Sequence, residues 1–178
     1  MTDSIRASWL ETQYEESMAF AAKSSVLSVA PVAGTPPFKY IAKFDCDGLA
    51  KTTEGVTVHD RHLVGIFFPE HYQRRSCGPG EVLTWLEPHT EFHPNINPPL
   101  CCVGHISPGM SLLSLLYQLY QMITWQRFTP CEDDALNKAA CGWARDRLDR
   151  FPIDSRRSML DARSDQSVTE IGQGMYIE

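Results

Sequence analysis

Residues Glu91–Met122 read EFHPNINPPLCCVGHISPGMSLLSLLYQLYQM, and the fold of the whole chain is read outward from them. The first half is irregular. Glu87–Gly109 has almost no hydrophobic period and holds five prolines, Pro88, Pro94, Pro98, Pro99 and Pro108. Long irregular loops inside small domains are usually functional. The second half is the opposite. From about Met110, Leu112, Leu113, Leu115, Leu116, Leu119, Met122 and Ile123 form a helix apolar almost all round, which places it centrally.

Upstream, Ser4–Lys23 has the spacing of an amphipathic helix, with Ile5, Trp9, Leu10, Met18, Phe20 and Ala21 on one side and Glu11, Glu15 and Glu16 on the other. Asp3 or Ser4 can cap it. The period then changes. Ser24–Ala30, Phe38–Cys46, His62–Phe68 and Val82–Leu86 read as strands with short connections, so an antiparallel meander is expected. Cys46-Asp47-Gly48 reads as the turn closing the second strand. Downstream, Glu132–Arg150 is expected to be helical, with Asp133 and Asp134 in its first turn and Leu136, Ala139, Ala140, Trp143 and Ala144 inward; Pro152 ends it. Helix, meander, irregular loop, helices is an α+β plan rather than an alternating βαβ one. The domain is expected over residues 1–162, with 163–178 a polar, flexible tail.

The 178 residues suit one domain, and 16 Lys plus Arg against 22 Asp plus Glu give a net charge of −6. That acidity argues against a nucleic-acid partner. Residues 1–20 carry four acids and no apolar core, unlike a secretory leader, and the apolar run near Met110–Ile123 is too short and polar to span a membrane. A cytoplasmic, reducing location is therefore expected, with free thiols. The six cysteines are Cys46, Cys77, Cys101, Cys102, Cys131 and Cys141. No C-x-x-C pair occurs, and His59 and His62 lack a second ligand pair at a finger spacing, so no metal is expected. No G-x-G-x-x-G or P-loop occurs, and no cofactor is expected.

Three chemical types meet in the irregular loop. His93-Pro94-Asn95 is a stiff tripeptide, because Pro94 fixes its own φ and holds His93 extended. Asn95 offers an amide donor, and Cys101 and Cys102 follow six and seven residues later. A thiol nucleophile beside a neutral donor suits acyl transfer, in which attack on a carbonyl builds an oxyanion. An asparagine in such a loop can equally serve to satisfy turn backbone.

His93-Pro94-Asn95-Ile96, the following cysteine and the Ser-Leu helix, after a helix and a meander, resemble the core of ubiquitin-conjugating enzymes. Thr129-Pro130-Cys131-Glu132-Asp133-Asp134 resembles the family segment in which a proline and an acidic pair precede the next helix. The likeness covers roughly residues 5–150, and the compact wording around Leu100–Gly109 is similar to the family's bacterial, operon-encoded relatives. The resemblance implies the ubiquitin-conjugating-enzyme-like fold. It implies a cysteine that accepts a ubiquitin-like protein from an activating-type enzyme as a thioester and passes it to an amine on a protein target. It gives Asn95 an oxyanion or loop-stabilising role, His93 a mainly structural one, and Asp134 the orientation or deprotonation of the incoming lysine.

The chain departs from that pattern. The family's cysteine stands about ten residues after the motif histidine; here Cys101 stands at eight and Cys102 at nine. Cys102 needs the smaller deletion and keeps the following Val103-Gly104 in register, whereas Leu100 suits Cys101. His105, just beyond, is a possible base or a surface histidine. Two other functions stay open: a non-catalytic variant that binds ubiquitin-like proteins, and an unrelated cysteine hydrolase.

Overall fold

The computed structural model describes residues 4–160. The expected tail from residue 163, with Ile171, Met175, Tyr176 and Ile177, lies outside the described residues, as does the capping candidate Asp3. The architecture is mixed α+β: an N-terminal helix, a four-stranded antiparallel sheet and C-terminal helices.

Helix α1 (Ser4–Ala21) buries Leu10, Gln13 and Ser17. Two of the three are polar, because the helix does more than pack. Gln13 Oε1 accepts from the Leu112 N–H at 2.8 Å, an amide at the start of the central helix that has no partner within its own helix. Ile5, expected on the apolar face, is exposed.

Strands β1 (Leu27–Gly34) and β2 (Pro37–Phe44) follow. β1 begins later than Ser24 because the Ser24 hydroxyl accepts from the Val26 and Leu27 amides, a local turn that delays the ladder. Next comes a hairpin that the sequence reading did not contain, β3 (Gly48–Thr52) and β4 (Gly55–His59). Gly48 therefore opens a strand rather than closing a turn. A side chain there would lie 2.8 Å from the His62 ring and 3.0 Å from the Ile123 carbonyl, so this close approach requires glycine.

β5 (His62–Phe67) returns to the main sheet, and β6 (Leu83–Glu87) completes the order β1-β2-β5-β6. A single helical turn, α2 (Pro79–Val82), precedes β6. The inner face presents Leu27, Val29, Tyr40, Ala42, Phe44, Val64, Ile66, Leu83 and Trp85, all buried, to α1 and to α3 (Leu112–Ile123). The central helix is as buried as its composition requires.

The helix expected over Glu132–Arg150 is shorter: α4 spans Lys138–Arg145, and a 3₁₀ turn covers Leu148–Arg150. The Asn137 side chain accepts from the Ala140 amide and fixes the start there. Asp133 and Asp134 thus lie in a turn before the helix, not in its first turn. α4 joins a second apolar cluster of Leu49, Val56, Phe92, Trp125, Ala140 and Ala144, which links the β3–β4 hairpin to the C-terminal part.

Candidate functional site

The His93-Pro94-Asn95 segment is fixed from every side. On the hairpin side, the Phe92 amide donates to the Leu49 carbonyl at 2.8 Å and the Lys51 amide to the Thr90 carbonyl at 2.8 Å. On the α4 side, the Asn137 amide donates to the Pro94 carbonyl at 3.0 Å. Below lies the buried pair His62 and Glu91, with Nδ1 and Oε2 2.9 Å apart. His62 Nε2 faces the Cys46 and His59 carbonyls at 3.1 and 3.2 Å, so that nitrogen carries a proton. A second proton sits between Nδ1 and Oε2. Burial works to lower the His62 pKa, but the Glu91 charge and these hydrogen bonds outweigh it and raise it. Burial raises Glu91 as well, and its Oε1 has no partner.

His93 is fully buried. Its Nδ1 accepts from the Asn95 amide at 3.0 Å, its ring stands edge-on to Trp125 with centroids 4.6 Å apart, and Trp125 stacks flat on Phe151. Nε2 has no partner of full hydrogen-bond geometry, and the nearby Arg127 backbone acts to raise the ring's pKa, against the larger effect of burial. Burial pushes the imidazole down to about 3, so it is neutral. Its bond to Asn95 and its packing on Trp125 tie the tripeptide to the end of α3.

The Asn95 side chain is clasped to Thr129. Its Nδ2 donates to the Thr129 hydroxyl at 2.7 Å, and its Oδ1 accepts from the Thr129 amide at 2.8 Å. One N–H of the amide is engaged in this way; a primary amide has two.

Strands β7 (Ile96–Asn97) and β8 (Leu100–Cys101) form a small hairpin, and the Cys102 amide donates to the Asn95 carbonyl at 2.9 Å. Side chains alternate along this strand. Cys101 points into the core at 2% exposure, and burial, with Cys102 beside it, pushes its thiol up to about 12. Cys102 is half-buried and lines a cavity of about 290 Å³. Asn95, Gly104, Arg127, Thr129 and Asp134 line it too, over an apolar floor that includes Met122 and Phe128. Gly104 adopts φ +93°, and a side chain there would stand 3.4 Å from Arg127 Nη2.

Of the residues singled out in the sequence, Cys102, Asn95 and Asp134 meet at one cavity, while His93 and Cys101 are buried behind it. His105 is not among the lining residues; its Nε2 is 3.3 Å from the Ser76 hydroxyl. Three participants were missed. Thr129 carries no signal beyond its place before Pro130. Arg127 is one cation in a mainly apolar stretch. Trp125 adopts φ +60° at the end of α3, a position where glycine is usual. Its burial among aromatic rings holds it there, and that is visible only in three dimensions. Among the described residues, no helix is long and apolar enough to cross a membrane. No protein-family model and no curated protein matches this chain.

Proposed function

We propose that the chain is a ubiquitin-conjugating-type transferase with the fold of that family, acting in the cytoplasm with an activating-type enzyme, a ubiquitin-like protein and a protein target as partners. One observation carries the reading: Cys102 lines a small cavity together with Asn95 and Asp134, while its neighbour Cys101 is sealed in the core.

In this reading the Cys102 thiolate attacks the carbonyl of a ubiquitin-like C-terminus held as a thioester. The intermediate expels the activating enzyme's thiolate, and the acyl group stays on Sγ. A lysine amine then attacks, Asp134 takes up its proton at the cavity rim, and Cys102 leaves as the thiolate. Exchange of one thiol for another is close to isoenergetic, so no strong base beside the thiol is needed. None of the lining residues is a histidine, which weighs against a cysteine hydrolase working through a thiol–imidazole pair.

The test incubates the full chain with ATP and a panel of ubiquitin-like proteins, each with its activating enzyme. The expected result is a thiol-labile adduct in the wild type and in Cys101→Ala, absent in Cys102→Ala and converted to a thiol-resistant oxyester in Cys102→Ser. An adduct that persists in Cys102→Ala refutes the site. Non-covalent binding without any adduct across the panel would instead mark a binding variant. Release of the carrier C-terminus without an activating enzyme would mark a hydrolase.

A further inference from the structure

The loop between β5 and β6 gathers a second set of reactive side chains, separate from the Cys102 cavity. One ligand atom each from His71, Cys77 and Glu81 lies within 4.8 Å of the other two. We infer that His71, Cys77 and Glu81 form a binding site for a borderline-soft divalent cation of the zinc class.

The donor set selects the metal. An imidazole, a thiolate and a carboxylate together suit zinc rather than calcium or magnesium, which prefer all-oxygen cages. Three protein ligands with an open side match a tetrahedral ion that keeps one water. Cys77 is buried, Glu81 is exposed and His71 lies between, so the ion would rest on the sulfur with its fourth position toward solvent.

The geometry holds the ligands near their places already. Cys77 is pinned through its backbone, its amide donating to the Ile106 carbonyl at 3.3 Å. Glu81 sits on α2, with Oε1 accepting from the Gly78 amide at 3.0 Å. Its Oε2 faces His71 Nε2 at 3.2 Å and accepts from Arg75 Nη2 at 2.9 Å.

A divalent cation balances the charges of its ligands. A thiolate and a carboxylate carry two negative charges, the imidazole carries none, and the loaded site is neutral. Binding displaces the Cys77 proton to solvent and exchanges the Arg75–Glu81 contact for a metal bond. That contact is an exposed ion pair, of a kind that contributes little.

The position gives the site a consequence. Ser76 and Cys77 bond to His105 and Ile106, which directly follow the Cys102-Val103-Gly104 run. An ion on Cys77 would stiffen the strut that supports the cavity wall.

The test uses the full chain, stripped with a chelator, reduced, and titrated with cobalt(II) and then with zinc(II). The expected result is one equivalent of cobalt with a thiolate-to-metal charge-transfer band, displaced by zinc and absent in Cys77→Ser. His71→Gln and Glu81→Gln alter side chains near the surface and should keep the fold, which circular dichroism checks. Each should weaken binding by more than about tenfold, the lower bound for losing mere outer-shell partners. Arg75→Ala should bind as well as the wild type or better, and Cys131→Ser should be unchanged. Absence of the band in the wild type, or a band that survives intact in Cys77→Ser, overturns the site. So does binding that His71→Gln and Glu81→Gln leave untouched.

Discussion

Replacing Asn95 by alanine separates the two roles an asparagine can have beside a cysteine. In the structure its amide is bound twice to Thr129, at 2.7 and 2.8 Å, and both contacts are partly buried. Each such bond contributes about 0.5–1.5 kcal/mol net, so losing the pair costs about 2 kcal/mol. For a chain of this size that lowers the melting temperature by about 4–8 °C. Asn95→Asp behaves differently. A carboxylate still accepts from the Thr129 amide, and it can accept from the hydroxyl, which turns to become the donor. The aspartate variant would thus keep the clasp while losing every N–H that could stabilise an oxyanion. Differential scanning calorimetry with single-turnover acyl transfer reads both variants. A clasp predicts that Asn95→Ala loses stability and rate together while Asn95→Asp stays near wild type in both. A donor role predicts that Asn95→Asp melts normally but transfers about 10²–10³ more slowly. An unchanged melting temperature in Asn95→Ala refutes the clasp outright.

Two buried histidines shifted in opposite directions should give a stability maximum near pH 6.5. His93 is held near 3 by burial, so from about pH 6.5 down to 4.5 the unfolded chain takes up a proton that the folded chain refuses, which lowers stability by up to about 1.4 kcal/mol per pH unit, offset in part where the raised Glu91 takes up a proton in the folded chain. His62 is raised, so above about pH 6.5 the folded chain keeps a proton that the unfolded chain releases, and stability falls as pH rises through the folded value. Urea midpoints across this range should peak, and His62→Gln should flatten the alkaline limb; a missing acid limb contradicts the His93 assignment and a missing alkaline limb the His62 one. Gly104→Ala must hold a side chain at φ +93° against Arg127, at a cost of about 1–2 kcal/mol, so a melting temperature equal to wild type would count against that geometry. Alkylation by iodoacetamide followed by peptide mass analysis should modify Cys102 and Cys131 early and leave Cys101 protected, since its thiol lies near 12 and is buried; equal labelling of Cys101 would reverse the inward and outward assignment.

What the sequence made legible follows from where periodicity exists. β2 alternates over eight residues, β5 and β6 are short apolar runs, and α3 is apolar enough that Leu112–Ile123 could only be central. The β3–β4 hairpin was hidden because each of its strands carries only two apolar residues and Asp47-Gly48 looks like a terminus. Its burial is supplied by distant Phe92 and Trp125, which no local window contains. α4 was overextended for a related reason: Glu132, Asp133 and Asp134 have the composition of a first turn, yet Asn137 competes for the cap and wins. At the site, the residue types Asn95, Cys102 and Asp134 could be named from the chain, but Thr129 and Arg127 could not. Neither has a distinctive pattern, and each matters only through what it touches.

The choice between two adjacent thiols is at root a question of strand register. From Leu100 onward the chain is extended, and exposure alternates: Leu100 is 51% exposed, Cys101 2%, Cys102 intermediate and Val103 4%. Extended residues point to opposite faces, so a slip of one position would turn Cys101 outward and bury Cys102. Two features hold the register. Ile96 and Asn97 pair with Cys101 and Leu100 across the Pro98-Pro99 turn, and the Cys102 amide bonds to the carbonyl of Asn95, whose side chain grips Thr129. The residue that could assist chemistry at Cys102 therefore also helps to decide that Cys102, not Cys101, faces the cavity. Weakening the Asn95–Thr129 clasp should do more than soften the site. It should raise the alkylation rate of Cys101 as the strand samples the slipped register, and Thr129→Val, which keeps the backbone donor but removes the hydroxyl, should show a smaller rise than Asn95→Ala. Alkylation of Cys101 that stays at the wild-type rate in both variants would mean that the β7–β8 pairing alone sets the register.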